Sequence, residues 1–153
     1  MSQYTKEIMT ITILLLSCLL AVLALWAIRR KRRRMAEDMD LMEGHEFEYF
    51  CAELLQRRGF QDVEVTRGSG DYGVDILAEK EGVTYAIQCK CYSAPVGIKA
   101  VQEAYAGRDY YDRMVGAVLT NQYFTAPAVE AAGKLKILLW DRGYLEEMMG
   151  ENI

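Results

Sequence analysis

The stretch GSGDYGVDILAEKEGVTYAIQCK, Gly68–Lys90, carries the pattern that decides the fold. A glycine-rich bend, Arg67–Gly73, leads into two short runs with strand character. Val74–Ala78 reads as a strand, Glu79–Gly82 as a four-residue hairpin turn, and Val83–Lys90 as a second strand. Alternation puts Asp75 and Leu77 on one face of the first strand and Ile76 and Ala78 on the other. In the second strand Gln88 and Lys90 share a face and Cys89 takes the opposite one. Pairing Ala78 with Val83 sets Asp75 near Ala86, and two residues of stagger set it beside Gln88. An aspartate, a glutamine and a lysine are thus expected to meet at neighbouring strand ends, where a small core calls for apolar side chains.

Such a group has a chemical use. Asp75 offers a hard anionic oxygen and Gln88 a neutral amide oxygen, and both suit Mg²⁺ or Mn²⁺. The backbone carbonyl of Cys89 can add a third oxygen at a strand end. Lys90 cannot bind a cation, but its charge favours deprotonation of an attacking water and stabilises charge building on a phosphate. Each residue also has a plain structural use. Asp75 can accept bonds from the glycine bend, as Asp71 is expected to do. Gln88 can bond across strands, and Lys90 can be a solvated edge residue. The residues alone leave both uses open.

Working outward, Glu46–Arg58 is expected to be a helix, with Phe47, Phe50, Cys51, Leu54 and Leu55 as its apolar stripe and Gly59 as its stop. At 100° per residue Glu48 falls on the edge of that stripe. It could add a second carboxylate to the site or remain solvated. Val63–Thr66 is a short strand candidate. Downstream come a helix over Ile98–Asp112 weakened by Gly107, a strand over Met114–Thr120 apolar on both faces, and a helix over Ala126–Leu135 with Pro127 in its first turn. A last strand, Ile137–Trp140, and a terminal helical turn at Tyr144–Met149 complete the order. It describes a mixed sheet with helices packed against it. The loop Asn121–Phe124 is polar and aromatic, either a packed connection or a surface for DNA.

The start of the chain is of another kind. Ile8–Ile28 holds 21 residues without a charge, a helix of roughly 30 Å, the thickness of a bilayer's hydrocarbon core. Its polar residues Thr10, Thr12 and Ser17 can bond back to helix carbonyls, and Trp26 lies near one end. A cleaved signal peptide would carry its positive charge before the apolar run; here the basic cluster Arg29–Arg34 follows it. The sequence therefore predicts a short tail over residues 1–7 and a transmembrane helix over 8–28. A basic juxtamembrane segment and polar linker follow over 29–44, then one domain over 45–150. The positive-inside rule puts Arg29–Arg34, facing anionic lipid headgroups, and all that follows on the cytoplasmic side.

Charge divides the same way. Met1–Arg34 has seven Lys/Arg against one Glu, net +6, and the remainder eleven against twenty-one, net −10, within an overall charge of −4. Cys18, Cys51, Cys89 and Cys91, with the single histidine His45, lack the spacing of a zinc site and read as small apolar residues of a reducing compartment, Cys18 within the apolar helix.

At these residues the chain resembles the type IV restriction endonuclease Mrr-like family of the PD-(D/E)xK nuclease superfamily. Phe47–Glu48, Leu54–Leu55 and Gly59–Phe60 match the family's first helix. Asp71-Tyr72-Gly73-Val74-Asp75 matches its D-x-G-x-D, and Gln88-Cys89-Lys90 its Q-x-K. Thr120–Thr125 with Ala128 and Ala131–Ala132, and then Asp141, follow in order. The resemblance implies an α/β, restriction-endonuclease-like three-layer core with a central mixed sheet flanked by helices. It also implies Mg²⁺- or Mn²⁺-dependent cleavage of DNA, in defence against foreign DNA. Asp75 carries over as principal metal ligand, Gln88 in the place of an acidic residue, Lys90 as catalytic lysine and Glu48 as helix acid. The expected setting is a bacterial inner membrane crossed once, N-terminus outside, and a homodimer would cut both strands of a duplex. Two departures stand out. The ten residues Met35–Gly44 leave no room for a separate reader domain, and the acidic domain predicts weak DNA affinity on its own. Both suit an alternative, a catalytically inactive membrane-anchored nucleic-acid-binding or sensor module with the nuclease fold.

Overall fold

The computed structural model describes residues 3–66 and 72–150. Arg67 and Asp71, and with them most of the expected glycine bend, lie outside the described residues. The chain divides into two compact units, Met1–Met35 and Ala36–Ile153.

Helix α1 runs from Gln3 to Met39 and so continues past its apolar part; its residues up to Met35 belong to the first unit and its last turn to the second. Its segment Gln3–Lys31 has a mean hydropathy of 2.8 in its most apolar window, and none of that window is buried in the protein. Length and apolarity suffice to cross a membrane. The Thr10 hydroxyl donates to Lys6 O, Thr12 to Ile8 O and Ser17 to Leu14 O, so these three hydroxyls are satisfied within the helix. Near the end of that segment the Arg30 guanidinium lies over the Trp26 ring at 5.2 Å.

In the second unit α2 (Gly44–Arg57) precedes three antiparallel strands, β1 (Gln61–Val65), β2 (Ile76–Lys80) and β3 (Val83–Lys90). Helix α3 (Ile98–Tyr110) crosses to β4 (Val115–Thr120), α4 (Ala126–Leu135) crosses to β5 (Ile137–Trp140), and α5 (Arg142–Gly150) follows. Both crossovers produce parallel pairs, and the sheet order is β1-β2-β3-β4-β5. A Glu43–Glu46 capping box starts α2. The Thr125 hydroxyl accepts from Ala128 N–H at the start of α4, with Pro127 in the first turn.

Two apolar layers cover the sheet. On one face Phe47, Cys51 and Leu55 of α2 and Leu145 and Met148 of α5 pack with Ile76, Ile87, Cys89 and Leu119. Phe47 and Leu55 are fully buried, each worth about 1.5–3 kcal/mol in apolar burial. On the other face Ala100, Val101 and Ala104 of α3 and Ala128 and Ala132 of α4 pack with Val118 and Ile137. The mixed, three-layered α/β core expected from the sequence is present. Met39, which the sequence places in a polar linker, is fully buried in the first of these layers.

The opening hairpin is tighter than expected. Lys80 pairs with Val83, so the turn is Glu81–Gly82 alone, with φ of 54° and 77°, a type I′ geometry matching strand twist. Glu79 and Lys80 continue β2 because its outer end is only partly buried and tolerates polar side chains. The expected pairing of Ala78 with Val83 is therefore corrected to Ala78 with Tyr85. Ile76 pairs with Ile87, which brings Asp75 level with Gln88 without stagger, and Asp75 N–H donates to Ile87 O at 2.9 Å.

Candidate active site

Asp75 precedes β2, Gln88 and Lys90 end β3, and Glu48 projects from the first half of α2. All four, with Cys89, line one open cleft of about 350 Å³. Glu103 of α3, which the sequence did not single out, lines the same cleft.

Asp75 is 7% exposed and Gln88 4%. One carboxylate oxygen of Asp75, Oδ2, accepts from the Gln88 side-chain amide and from Cys89 N–H at 2.6 Å. Donation to a carboxylate fixes the orientation of the Gln88 amide, because the opposite orientation would set its oxygen against that charge. The same Nε2 also reaches Cys89 O at 3.3 Å. The other end of the amide, Oε1, is buried without a hydrogen-bond partner. A buried amide oxygen left unpaired is costly and rare.

Lys90 reaches the Glu103 carboxylate, Nζ to Oε2, at 2.8 Å, and Lys99 approaches the other oxygen of Glu103 at 3.7 Å. Burial works against the charge on Lys90, but the hydrogen bond and charge of Glu103 outweigh it, with Tyr92 and Asp75 adding to the effect. The pKa of Lys90 is accordingly raised, and the side chain is an ammonium at neutral pH. Glu48 is hydrogen-bonded to His45, Oε2 to Nδ1, at 2.8 Å. The Cys89 thiol lies on the opposite face of β3 in the apolar layer. Its hydrogen bond with Cys51, burial and the charges of Asp75 and Glu48 push its pKa well up, so it offers no thiolate, and only its backbone can serve the cleft.

The bend before Asp75 is set by close packing. Gly73 has φ +80°, and a Cβ there would lie 2.8 Å from Glu103 O. One turn along α3, a Cβ on Gly107 would lie 2.2 Å from Val74 Cγ2. The glycine that weakens α3 on propensity grounds is thus the one that lets the helix approach the bend.

Among the described residues no group of three or more His, Cys, Asp or Glu is placed to hold a metal ion. The loop Asn121–Phe124 is anchored at both ends: Asn121 is buried and bonded, and Phe124 bridges to Val96 and packs under α3 and α4, whereas Tyr123 between them is exposed.

This topology, with an antiparallel hairpin feeding two parallel crossovers and helices on both faces, defines the restriction-endonuclease-like class of α/β proteins. The chain belongs to the restriction endonuclease family represented by the Mrr catalytic domain, whose model matches residues 39–149. No curated protein matches the chain. Three solved structures share the fold. A protein of unknown function, AF1548, is 26% identical with a TM-score of 0.57, over 67% of this chain and 60% of that one. The DNA modification-dependent restriction endonuclease AspBHI is 19% identical with a TM-score of 0.62, over 78% and 35%. The MspJI restriction endonuclease, in complex with a 27-mer oligonucleotide, is 19% identical with a TM-score of 0.58, over 80% and 31%. The chain thus spans 60% of the first of these proteins and about a third of the other two.

Proposed function

We propose that the chain is a membrane-tethered DNA-binding protein whose cleft is laid out for divalent-cation-dependent hydrolysis of the DNA backbone. The observation that carries the catalytic part is the buried Gln88 amide, whose Nε2 meets the Asp75 carboxylate while its Oε1 is left without a hydrogen-bond partner. An anionic oxygen and an unsatisfied amide oxygen, both largely desolvated in one cleft, are donors of the kind that Mg²⁺ or Mn²⁺ takes. Asp75, Gln88 and the Cys89 carbonyl would hold the cation, with Glu48 completing the set from α2. Such a cation supplies Lewis acidity toward a phosphate oxygen and toward an attacking water. Lys90, charged and at the cleft wall, stabilises the negative charge that accumulates on the phosphoryl oxygens. Asp75 is held rigidly by two donors, so its position is set before substrate arrives.

A second function of the same fold is DNA binding or sensing without turnover, and specific observations favour it. No cluster of three acidic, histidine or cysteine ligands exists among the described residues, and Lys90 is already engaged by Glu103. The family relationship and the fold ask only for DNA contact, and the acidic charge of the domain suits weak contact reinforced by the tether. Arg29–Arg34 beside the apolar span support an arrangement with the N-terminus outside a bacterial inner membrane and the domain in the cytoplasm.

The full chain in detergent micelles, incubated with supercoiled plasmid and Mg²⁺ or Mn²⁺, separates the two. Nicking that disappears in both Asp75→Ala and Lys90→Ala establishes the enzyme. Plasmid binding that survives both substitutions, with no nicking by any variant in either metal, establishes the module.

A further inference from the structure

We infer that Glu103 is a positioning residue of the cleft: its carboxylate holds the Lys90 ammonium in place for the phosphate and sets the charge balance into which a cation and a phosphodiester fit. The inference rests on the nuclease reading and names a residue beyond it. Glu103 lies on a different element from all the other charged groups of the cleft, yet its Oε2 is 2.8 Å from Lys90 Nζ. Both side chains are largely shielded, 18% and 28% exposed, so the contact is not a loose surface pair.

The place of Glu103 is fixed by the backbone. Gly73, two residues before Asp75, packs so closely on Glu103 that an added Cβ would strike its carbonyl oxygen and its Cβ. Gly107, one turn on, packs against Val74 in the same way. Helix α3 is therefore registered against the segment that delivers Asp75. Through Glu103 that register reaches Lys90, a residue of β3 whose long side chain would otherwise sample many rotamers. One carboxylate couples the metal-binding side of the cleft to the phosphate-stabilising side.

Charge follows the same logic. Among the residues lining the cleft, Asp75, Glu48 and Glu103 give three negative charges and Lys90 one positive, a net of −2. A divalent cation would bring that to zero. Without Glu103 the loaded cleft would hold excess positive charge. It would bind phosphate more tightly while leaving Lys90 unplaced, which uncouples binding from turnover.

The test compares wild type with Glu103→Gln, which keeps shape and hydrogen bonding and removes charge, using the full chain in detergent micelles. The expected result is a kcat for plasmid nicking at least about 10-fold lower, with oligonucleotide affinity in Ca²⁺ unchanged or a few-fold tighter. In cation-free protein, Lys90 should be acetylated several-fold faster by acetic anhydride, read by mass spectrometry, once its partner is neutral. Equal or higher kcat in Glu103→Gln overturns the inference, the latter showing that Glu103 restrains Lys90 instead. A parallel loss of kcat and affinity with a lowered melting temperature shows a packing role and overturns it too. Unchanged labelling of Lys90 shows that the ion pair does not hold the side chain and overturns it as well. Wild type that nicks no DNA with either cation ends both readings, whereas wild type that nicks and Glu103→Gln that nicks equally ends only this one.

Discussion

Two polar groupings in the domain, each built on a buried side-chain amide, have nearly the same parts and opposite finish. At the cleft, Asp75 meets the amide of Gln88, with the cation Lys90 nearby. At the other, Asp40 meets the amide of Asn121 and the cation Arg142. In the second grouping every partner is used. Arg142 grips both Asp40 oxygens, at 2.7 and 3.0 Å, while its Nε pairs with Glu146 and its Nη1 also donates to Asn121 O. Asn121 donates to Asp40 and to Tyr92 O, each at 3.0 Å, and accepts from Tyr92 N–H at 2.9 Å. The first grouping leaves Gln88 Oε1 unpaired at the wall of an open cleft. A saturated polar network specifies structure, and an unsaturated one keeps capacity for a ligand. The clasp ties Asp40, at the foot of α1, to the chain that leaves β3 at Tyr92, so the structural network supports the rim of the functional one.

The largest expected effect falls on the unsaturated side. Lys90→Ala should lower nicking by about 10²–10³-fold while changing the melting temperature little, because truncation opens the Glu103 carboxylate to the cleft and leaves Lys99 3.7 Å from its other oxygen. Plasmid nicking and a thermal melt on one preparation check both halves. A large melting shift would place Lys90 with the structural network instead. The clasp should behave in the opposite way. Arg142→Ala removes the gripping cation and should cost about 2 kcal/mol by denaturant titration, less than a fully buried pair because Asp40 is 37% exposed. Nicking per folded molecule should stay within about twofold of wild type.

The two groupings were unequally legible. Asp75, Gln88 and Lys90 lie within sixteen residues on paired strands, so alternation alone put their side chains on a common face, and only the hairpin turn was misjudged by two positions. Helical periodicity put Glu48 at the edge of the apolar stripe of α2 and left its place in the cleft open. Glu103 left no such signal, since its place depends on where α3 crosses the sheet, a long-range packing outcome set by Gly73 and Gly107. His45 at Glu48 depended likewise on side-chain geometry. Met39 and Asp40 sat in a segment whose composition, MAEDMDLMEG, reads as solvated linker. The partners of Asp40, Asn121 and Arg142, are more than 80 residues away, beyond the reach of any local pattern. The three-layer architecture was legible because the order of apolar strands and amphipathic helices leaves few ways to cover a sheet.

Gln88→Glu sharpens the contrast by changing the unsaturated network alone. The substitution removes the amide donor to Asp75 and sets two carboxylates side by side, which should cost about 1–2 kcal/mol without divalent cations. Mg²⁺ or Mn²⁺ at millimolar concentration should recover most of that loss and raise the melting temperature more than in wild type. Equal stabilisation of both proteins by the cations would show that position 88 does not face a cation.

The smallest effect concerns pH and belongs to the clasp. The hydrogen bond from Arg142 lowers the Asp40 pKa below 3.8, against the opposing effect of partial burial, with Asn121 and the charge of Arg142 adding to it. A depressed carboxyl contributes stability that is fully present above its unfolded value and disappears as pH falls through its folded value. The penalty of Arg142→Ala should therefore be constant from pH 7 to about pH 5 and shrink below about pH 4, by an amount on the order of 1 kcal/mol or less after solvent screening. Denaturant titrations of both proteins at pH 7, 5 and 3 supply the comparison. A penalty that stays constant to pH 3 would mean that Arg142 acts through Glu146 and the Asn121 carbonyl, and that Asp40 is held by its neutral neighbours alone.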